Sequence, residues 1–460
     1  MCNKEKNVVV LDLTHGGIII TKKLASIGYN VIAIDVYKTV KQDILDELNC
    51  NDKIYATKKA PILKDIDFIA APVHLDPFNE ILKFAEKESL RILSHHQVVA
   101  KILESYPWLD RSKIIEVTGT KAKTSTVSLL AEMVSANKGI LLLSSRGLEY
   151  WYQGVPELLK KGLSITPGSI LESLDKCQEK NLKPDLYIFE CSIGVTGYNY
   201  LSILTTLDAD YSIANGFKKA SDAKLQIIEN ASRKDKSILL LNSSDRKAIQ
   251  HSKYTNNKNQ ELVIFSSKQY CDADYNIYNS NMTLFVKYND HKISFPLKNN
   301  TYLSSYQIAI SSSITASLIL GVPNNSIANV IYKFSGIEGR MKIHKINNRI
   351  IIDNSNSGLT FNLIQKALDT TLKTYHNKNI YMLLGEEKKQ VCEGLNPNEV
   401  DRFINKNINK ITKMILVGTR MEHIEHENIF YAPCREEGLV KAYDASNPGD
   451  VVLSCVKCFR

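Results

Sequence analysis

The sequence predicts an α/β protein built from three consecutive domains, the central one carrying a phosphate loop. Three observations predict it. Continuous apolar runs recur along the chain, each followed by a helical stretch, as in parallel sheets covered on both faces. A length of 460 residues exceeds one ordinary core. And "VTGTKAKTST" joins one apolar run to a helix with the chemistry of a phosphate-binding turn.

The first block, residues 1–104, holds "NVVVLDL" (Asn7–Leu13) leading to a helix from Gly17, then "NVIAIDV" (Asn30–Val36), "DIDFIAAPV" (Asp65–Val73), a helix and "RILSHH". The second, 105–335, opens with "IIEVT" and continues with "GILLLSS" (Gly139–Ser145), "DLYIFECS" (Asp185–Ser192), "LSILTTLDADY" (Leu201–Tyr211) and "SILLLNSSD" (Ser237–Asp245). Alternation near Met282–Leu297 predicts antiparallel strands, and "SSYQIAISSSITASLILGV" a closing helix. The third, 336–460, has strands at "RIIID", "NIYMLLG", "KMILVG" and "DVVLSC", with helices over 361–375, 397–408 and 435–446.

Composition narrows the class. With 44% hydrophobic, 23% charged and 8% aromatic residues, the chain reads as soluble and globular. No run approaches the roughly 18 apolar residues of a membrane span, and the start passes straight into a strand, so a cytoplasmic location is expected. Nine scattered cysteines read as reduced thiols. The net charge of +9 comes without a basic helix or Arg-aromatic run, which argues against nucleic acid and suits an anionic substrate or a surface bias alone.

A phosphate loop works because successive N–H groups converge at a helix N-terminus, where the helix dipole favours an anion. Here Gly119 supplies the tight turn, Lys123 the charge and Thr124 a hydroxyl for Mg²⁺. Val127, Leu130, Met133 and Val134 continue at helical spacing. Ala122 stands where the pattern has glycine. A methyl there is tolerable if φ is negative, and on that condition Ala122 reads as a variant rather than a lesion. Glu190 ends an apolar strand where α/β sheets present ligands, and a carboxylate there suits Mg²⁺. Singly, the loop is also consistent with a Lys/Thr-rich connection, and Glu190 with an ordinary strand-end acid.

Taken in order, these segments resemble the Mur ligase superfamily of ATP-dependent carboxylate ligases. "VTGTKAKTST" is similar to its TGTxGKTT loop, and "FECS" to its strand-end acid segment. "SDAKLQIIENA" is similar to the segment with the carbamylated lysine, "LLLNSSD" to L-N-x-x-D, "GIEGRMKI" to the opening of the third domain, and "RIIIDNSNSG" to D-D-Y-A-H. The resemblance implies a three-domain Mur-ligase-like architecture: an N-terminal Rossmann-like domain, a central P-loop ATPase domain and a C-terminal Rossmann-like domain. It implies ATP and Mg²⁺ as cofactors. Gly119, Thr120, Lys121, Ala122, Lys123, Thr124, Ser125, Asn242, Arg340 and Asp353 would meet the nucleotide, with Asp245 closing the Asn242 segment. Thr124, Glu190 and a carbamylated Lys224 would serve the metal, and Lys123, Glu190 and Lys224 the catalysis.

Departures narrow the activity. Tyr211 stands where peptide ligases of the family have a metal-binding His, "DNSNSG" (with Asn354) lacks the His after Asp353, and "LSSYQIAISSS" replaces the H-N-x-x-N helix start. They argue against ordinary amino-acid addition to a UDP-sugar peptide. "LDLTHGG", "SSRGLEYW", "TTLDADYSIANGFKKASDAK", "LLGEEKKQVCEGL" and "VVLSCVKCFR" resemble the coenzyme F430 synthetase branch found in methanogens. That implies ATP-dependent activation of a propionate of a nickel seco-tetrapyrrole acid and closure of a carbocyclic ring. The expected partners are that tetrapyrrole and, transiently, the preceding pathway enzyme, with no nucleic acid and no membrane. Two alternatives stay open: a pseudomurein-type peptide ligase, and a nucleotide-binding module without catalysis.

For the substrate, His15, His74, His95 and His96 follow strands of the first domain. Arg146, Lys218 and Lys219 are candidate partners for its carboxylates. Each is also consistent with an ordinary loop or solvated residue. Cys455 and Cys458 lack a second pair for zinc and read as thiols at the end of a buried strand.

Overall fold

The computed structural model describes residues 6–458 except 209, 233–234, 256, 299–302, 357, 388–393, 422–423 and 425. Parts of "LDADY", "DNSNSG", "LLGEEKKQVCEGL" and "VVLSCVKCFR" therefore lie outside the described residues. The chain separates into two compact units, Met1–Tyr332 and Lys333–Arg460.

The first unit holds two large sheets. One has five parallel strands in the order Ile54–Thr57, Asn30–Ile34, Asn7–Leu11, Ile66–Ala71, Ile92–Ser94. The short edge strand Ile54–Thr57 escaped the sequence reading because "IYAT" is only four residues long. His74 thus follows the fourth strand, not the third.

The other sheet has eleven strands. Its parallel centre runs Tyr275–Ser280, Gln260–Ser266, Ser237–Asn242, Leu201–Leu204, Ile114–Thr118, Leu186–Glu190, Ile140–Ser144. Antiparallel strands finish both edges: Thr283–Tyr288 and His291–Pro296 on one side, Gly147–Tyr152 and Val155–Lys160 on the other. The innermost strands are largely apolar and wholly buried because both faces are covered, with Glu116 an exception in the strand Ile114–Thr118. Ile115 and Val117 meet Val127, Leu130 and Val134 of the helix Lys123–Val134 on one face. Ile114 turns the other way, toward Ile170, Leu171 and Leu174 of the helix Pro167–Glu179. That helix also packs against Ile18–Ser26 of the first sheet's layer, with Lys23 bonded to Asp175. Inside this unit the two sheets are thereby joined.

One reading needs correction. "LSILTTLDADY" was expected as a strand through Tyr211, but the strand stops at Leu204. Its polar second half leaves the sheet and wraps the phosphate loop.

In the second unit six strands run Lys342–Ile346, Arg349–Asp353, Val451–Lys457, Ile380–Glu386, Lys413–Val417, Ile429–Ala432. All but the first pair are parallel. The helices Phe361–Thr374, Pro397–Asn407 and Arg435–Ala445 fall within a residue of expectation. Cys455 and Cys458 are buried and form no disulfide, and burial pushes Cys455 up to about 12. Among the described residues no helix is long and apolar enough to cross a membrane.

Candidate active site

The strand Ile114–Thr118 delivers the chain into the loop and the helix Lys123–Val134 takes it away. Gly119 has φ 147°, and a Cβ there would lie 2.0 Å from Thr205 Oγ1. Only glycine fits. Ala122 caps the helix with φ 66° and offers it no side-chain acceptor, so no side-chain cap covers the helix N-terminus. This overturns the condition set above: φ is positive, and Ala122 carries left-handed strain rather than sitting at ease.

The second half of "LSILTTLDADY" braces the loop. Thr120 N donates to Thr206 O (2.8 Å) and Thr205 Oγ1 to Lys121 O (2.6 Å). Thr120 Oγ1 also bonds Asp208 O, and Lys121 is ion-paired with the Asp208 carboxylate. Lys121 is therefore engaged with the protein, not aimed freely at a phosphate. Asn242 Nδ2 donates to Thr205 O (3.0 Å), and Asp245 Oδ1 accepts from Leu207 N (3.0 Å) and Thr206 Oγ1 (3.2 Å). Both residues thus shape the bracing loop, and burial raises the Asp245 carboxyl. Sequence reasoning missed Thr205, Thr206 and Asp208; the change from apolar to polar after Leu204 was the available signal.

Thr124 and Glu190 come together. Thr124 Oγ1 donates to Glu190 Oε1 (2.9 Å), and Glu190 Oε2 accepts from Ser145 N (2.9 Å). Ser145 Oγ lies 3.0 Å from Thr124 Oγ1. Glu190 is only 2% exposed, and Ser125 is buried in the same first turn. Lys123 Nζ reaches back to Gly119 O (3.0 Å) across the loop. A hydroxyl and a carboxylate side by side, beside an ammonium at a helix N-terminus, form a donor set suited to Mg²⁺ and polyphosphate.

Lys224 is fully buried, donating to Ser192 O, with the Tyr211 ring 5.7 Å from its Nζ. Burial, then the Lys123 charge, pushes its amine well below the ordinary lysine range.

The histidines divide. His15 Nδ1 is 2.7 Å and His74 Nε2 3.5 Å from Asp12 Oδ2, and both rings are partly exposed. His95, by contrast, is buried with Nε2 on Leu11 O (2.9 Å), and burial pushes it down to about 4. It fixes the strand end instead of facing a ligand. His96 is buried too, pushed down to about 3 by burial. Arg146 is ion-paired with Glu149 (2.7 Å), whose other oxygen takes Trp151 Nε1 (2.8 Å). Lys218 and Lys219 are exposed beside Phe217, whose ring packs edge-on against Phe78 at 4.9 Å.

In the second unit, Asp353 Oδ2 accepts from Gly339 N (2.9 Å) and Oδ1 from Ser355 N (3.2 Å), with Arg435 Nη2 at 3.4 Å. It holds the tight turn in which Arg340 N bonds Ile337 O (2.9 Å). Asn354 is buried against Cys455.

The solved MurF structure from Acinetobacter baumannii shares the fold at TM-score 0.57 and 11% identity, covering 94% of this chain and 88% of that one. MurF ligase from Thermotoga maritima in complex with ADP does so at 0.52 and 13%, covering 98% and 91%. The family model for the coenzyme F430 synthetase CfbE C-terminal domain matches residues 343–458. Coenzyme F(430) synthetase of Methanocaldococcus jannaschii is 25% identical over 446 residues, 95% of each chain. That of Methanosarcina acetivorans is 43% identical over 473 residues, covering 99% of each. A match of that strength over the whole length settles the family: the chain belongs to the coenzyme F430 synthetases, a branch of the Mur-like ligases.

Proposed function

We propose that this chain uses ATP to phosphorylate a propionate carboxylate of a nickel seco-tetrapyrrole acid and closes a carbocyclic ring from the acyl phosphate. The observation that carries the nucleotide half is the 2.9 Å pairing of Thr124 with Glu190 at an uncapped helix N-terminus. These hard oxygens would hold Mg²⁺, which when bound supplies positive charge to the phosphates. Lys123 adds a second cation, and the loop N–H groups orient the chain of phosphates. Burial and the Lys123 charge push the Lys224 amine well below the ordinary lysine range, which favours the neutral form that adds CO₂, and a carbamate on it would give one more anionic ligand.

In the first step a carboxylate oxygen attacks the γ-phosphorus and the bond to ADP breaks. In the second, a carbon of the same substrate, having lost its proton, attacks the acyl carbon and phosphate leaves. The bond made is C–C. Exposed Lys218 and Lys219 offer charge to the remaining carboxylates.

The test is a mass spectrum of the tetrapyrrole after incubation with chain, ATP and Mg²⁺. Loss of one water is expected. Gain of an amino-acid residue mass, when an amino acid is supplied, would replace this reading with peptide ligation.

A further inference from the structure

The carboxyl end of the strand Asn7–Leu11 carries a side-chain group the nucleotide chemistry does not use. Asp12 is fully buried, and its two oxygens do different things. Oδ1 is occupied by the backbone, accepting from Thr14 N (2.9 Å) and His15 N (3.3 Å). Oδ2 faces two imidazoles, with His15 Nδ1 at 2.7 Å and His74 Nε2 at 3.5 Å. All three ligand atoms lie within 4.8 Å of one another. The rings stand edge to face, 5.0 Å apart and 88° inclined, so they are not stacked.

A carboxylate that only caps the turn needs its first oxygen and one ring at most. Here a second ring arrives from a separate loop, after the strand Ile66–Ala71. Four ligand atoms held about 2.0–2.1 Å from a tetrahedral ion lie about 3.3 Å apart, and the distances here straddle that spacing. Side-chain exposures of 38% for His15 and 28% for His74 leave a route in. Behind them His95, bonded to Leu11 O at 2.9 Å, holds the strand end in place.

We infer that Asp12, His15 and His74 form a binding site for a divalent transition-metal ion, separate from the Mg²⁺ of the nucleotide site. Two imidazoles and one carboxylate favour zinc, nickel or cobalt over magnesium. Three protein ligands leave at least one coordination position for water or an incoming oxygen anion.

The experiment uses the full chain, treated with chelator and then dialysed against Co²⁺ without nucleotide. One ion per chain is expected, with the visible absorption of nitrogen and oxygen ligation and no thiolate charge-transfer band. The His15→Ala/His74→Ala variant should lose that ion, while His251→Ala should keep it. Should the double variant fold poorly by circular dichroism, Asp12→Asn serves instead and should weaken binding at least tenfold. Absence of a stoichiometric ion, an unchanged ion in a folded variant, or a thiolate spectrum would each overturn the assignment. ATP turnover measured in parallel is a separate readout, so this site can fail without touching the ligase reading.

Discussion

Replacing Ala122 by glycine should make this protein more stable, an unusual direction for a change inside a nucleotide loop. Ala122 holds φ 66° and ψ −3°, a left-handed conformation that costs an L-residue with a Cβ about 1–2 kcal/mol. Glycine removes that cost but gives the unfolded chain more freedom, returning roughly 0.4–1 kcal/mol. The difference leaves a net gain of about 0.5–1 kcal/mol. With a urea slope of about 3 kcal/mol per molar, the unfolding midpoint should rise by about 0.2–0.3 M. Both tryptophans, Trp108 and Trp151, lie in the first unit, so their fluorescence follows the unit that contains the loop. ATP turnover should stay within about twofold, since the left-handed turn is kept. Ala122→Val, with a branched Cβ in the same conformation, should lower the midpoint. An unchanged or lower midpoint for the glycine variant would refute the claim that strain is stored at this residue.

Lys123→Ala should cut ATP turnover by about a thousandfold or more while leaving circular dichroism intact, because the phosphates lose their nearest cation; turnover above a tenth of wild type would sink its role. Glu190→Gln keeps the shape but not the charge beside Thr124, so the Mg²⁺ concentration for half-maximal turnover should rise about tenfold, read from a Mg²⁺ titration. An unchanged requirement would move the metal elsewhere. Acid should destabilise the first unit through His95 and His96, which burial pushes down from the ordinary 6.5 to about 4 and about 3. The unfolded chain takes up these protons first, so stability is full above pH 6.5 and lost as pH falls from there toward 4, by up to about 1.4 kcal/mol per pH unit for each ring. His95→Gln and His96→Gln should flatten the urea midpoint between pH 6.5 and 5; an equal slope would contradict the burial argument.

The parts of this molecule legible in its sequence are those set by local periodicity. The buried central strands announce themselves because both faces are apolar, and Lys123–Val134 because its apolar residues recur at helical steps. Thr124 and Glu190, far apart in sequence, are each read from the sequence as Mg²⁺ residues, and the fold brings them within hydrogen-bond distance of one another. What stayed hidden depends on pairing between strands. The hairpin Gly147–Lys160 and the edge strand Ile54–Thr57 gain their conformation from neighbours, not from pattern. The φ of Ala122 follows from the closure of the loop onto Thr205 and Thr206, which no local signal encodes. His95 and His15 read alike in sequence, yet one is sealed in and the other partly open, because burial depends on which helix covers the strand end.

The bracing of the phosphate loop has a consequence for how this gene can change. Residues 119–121 and 205–208 touch through three hydrogen bonds named above and the Lys121–Asp208 pair, and Asn242 and Asp245 hold the second segment from a third. The three stretches act as one mechanical part. Grafting the loop of a distant relative alone would strand Thr205 and Asp208 without their partners, whereas exchanging all three together should carry a working site across.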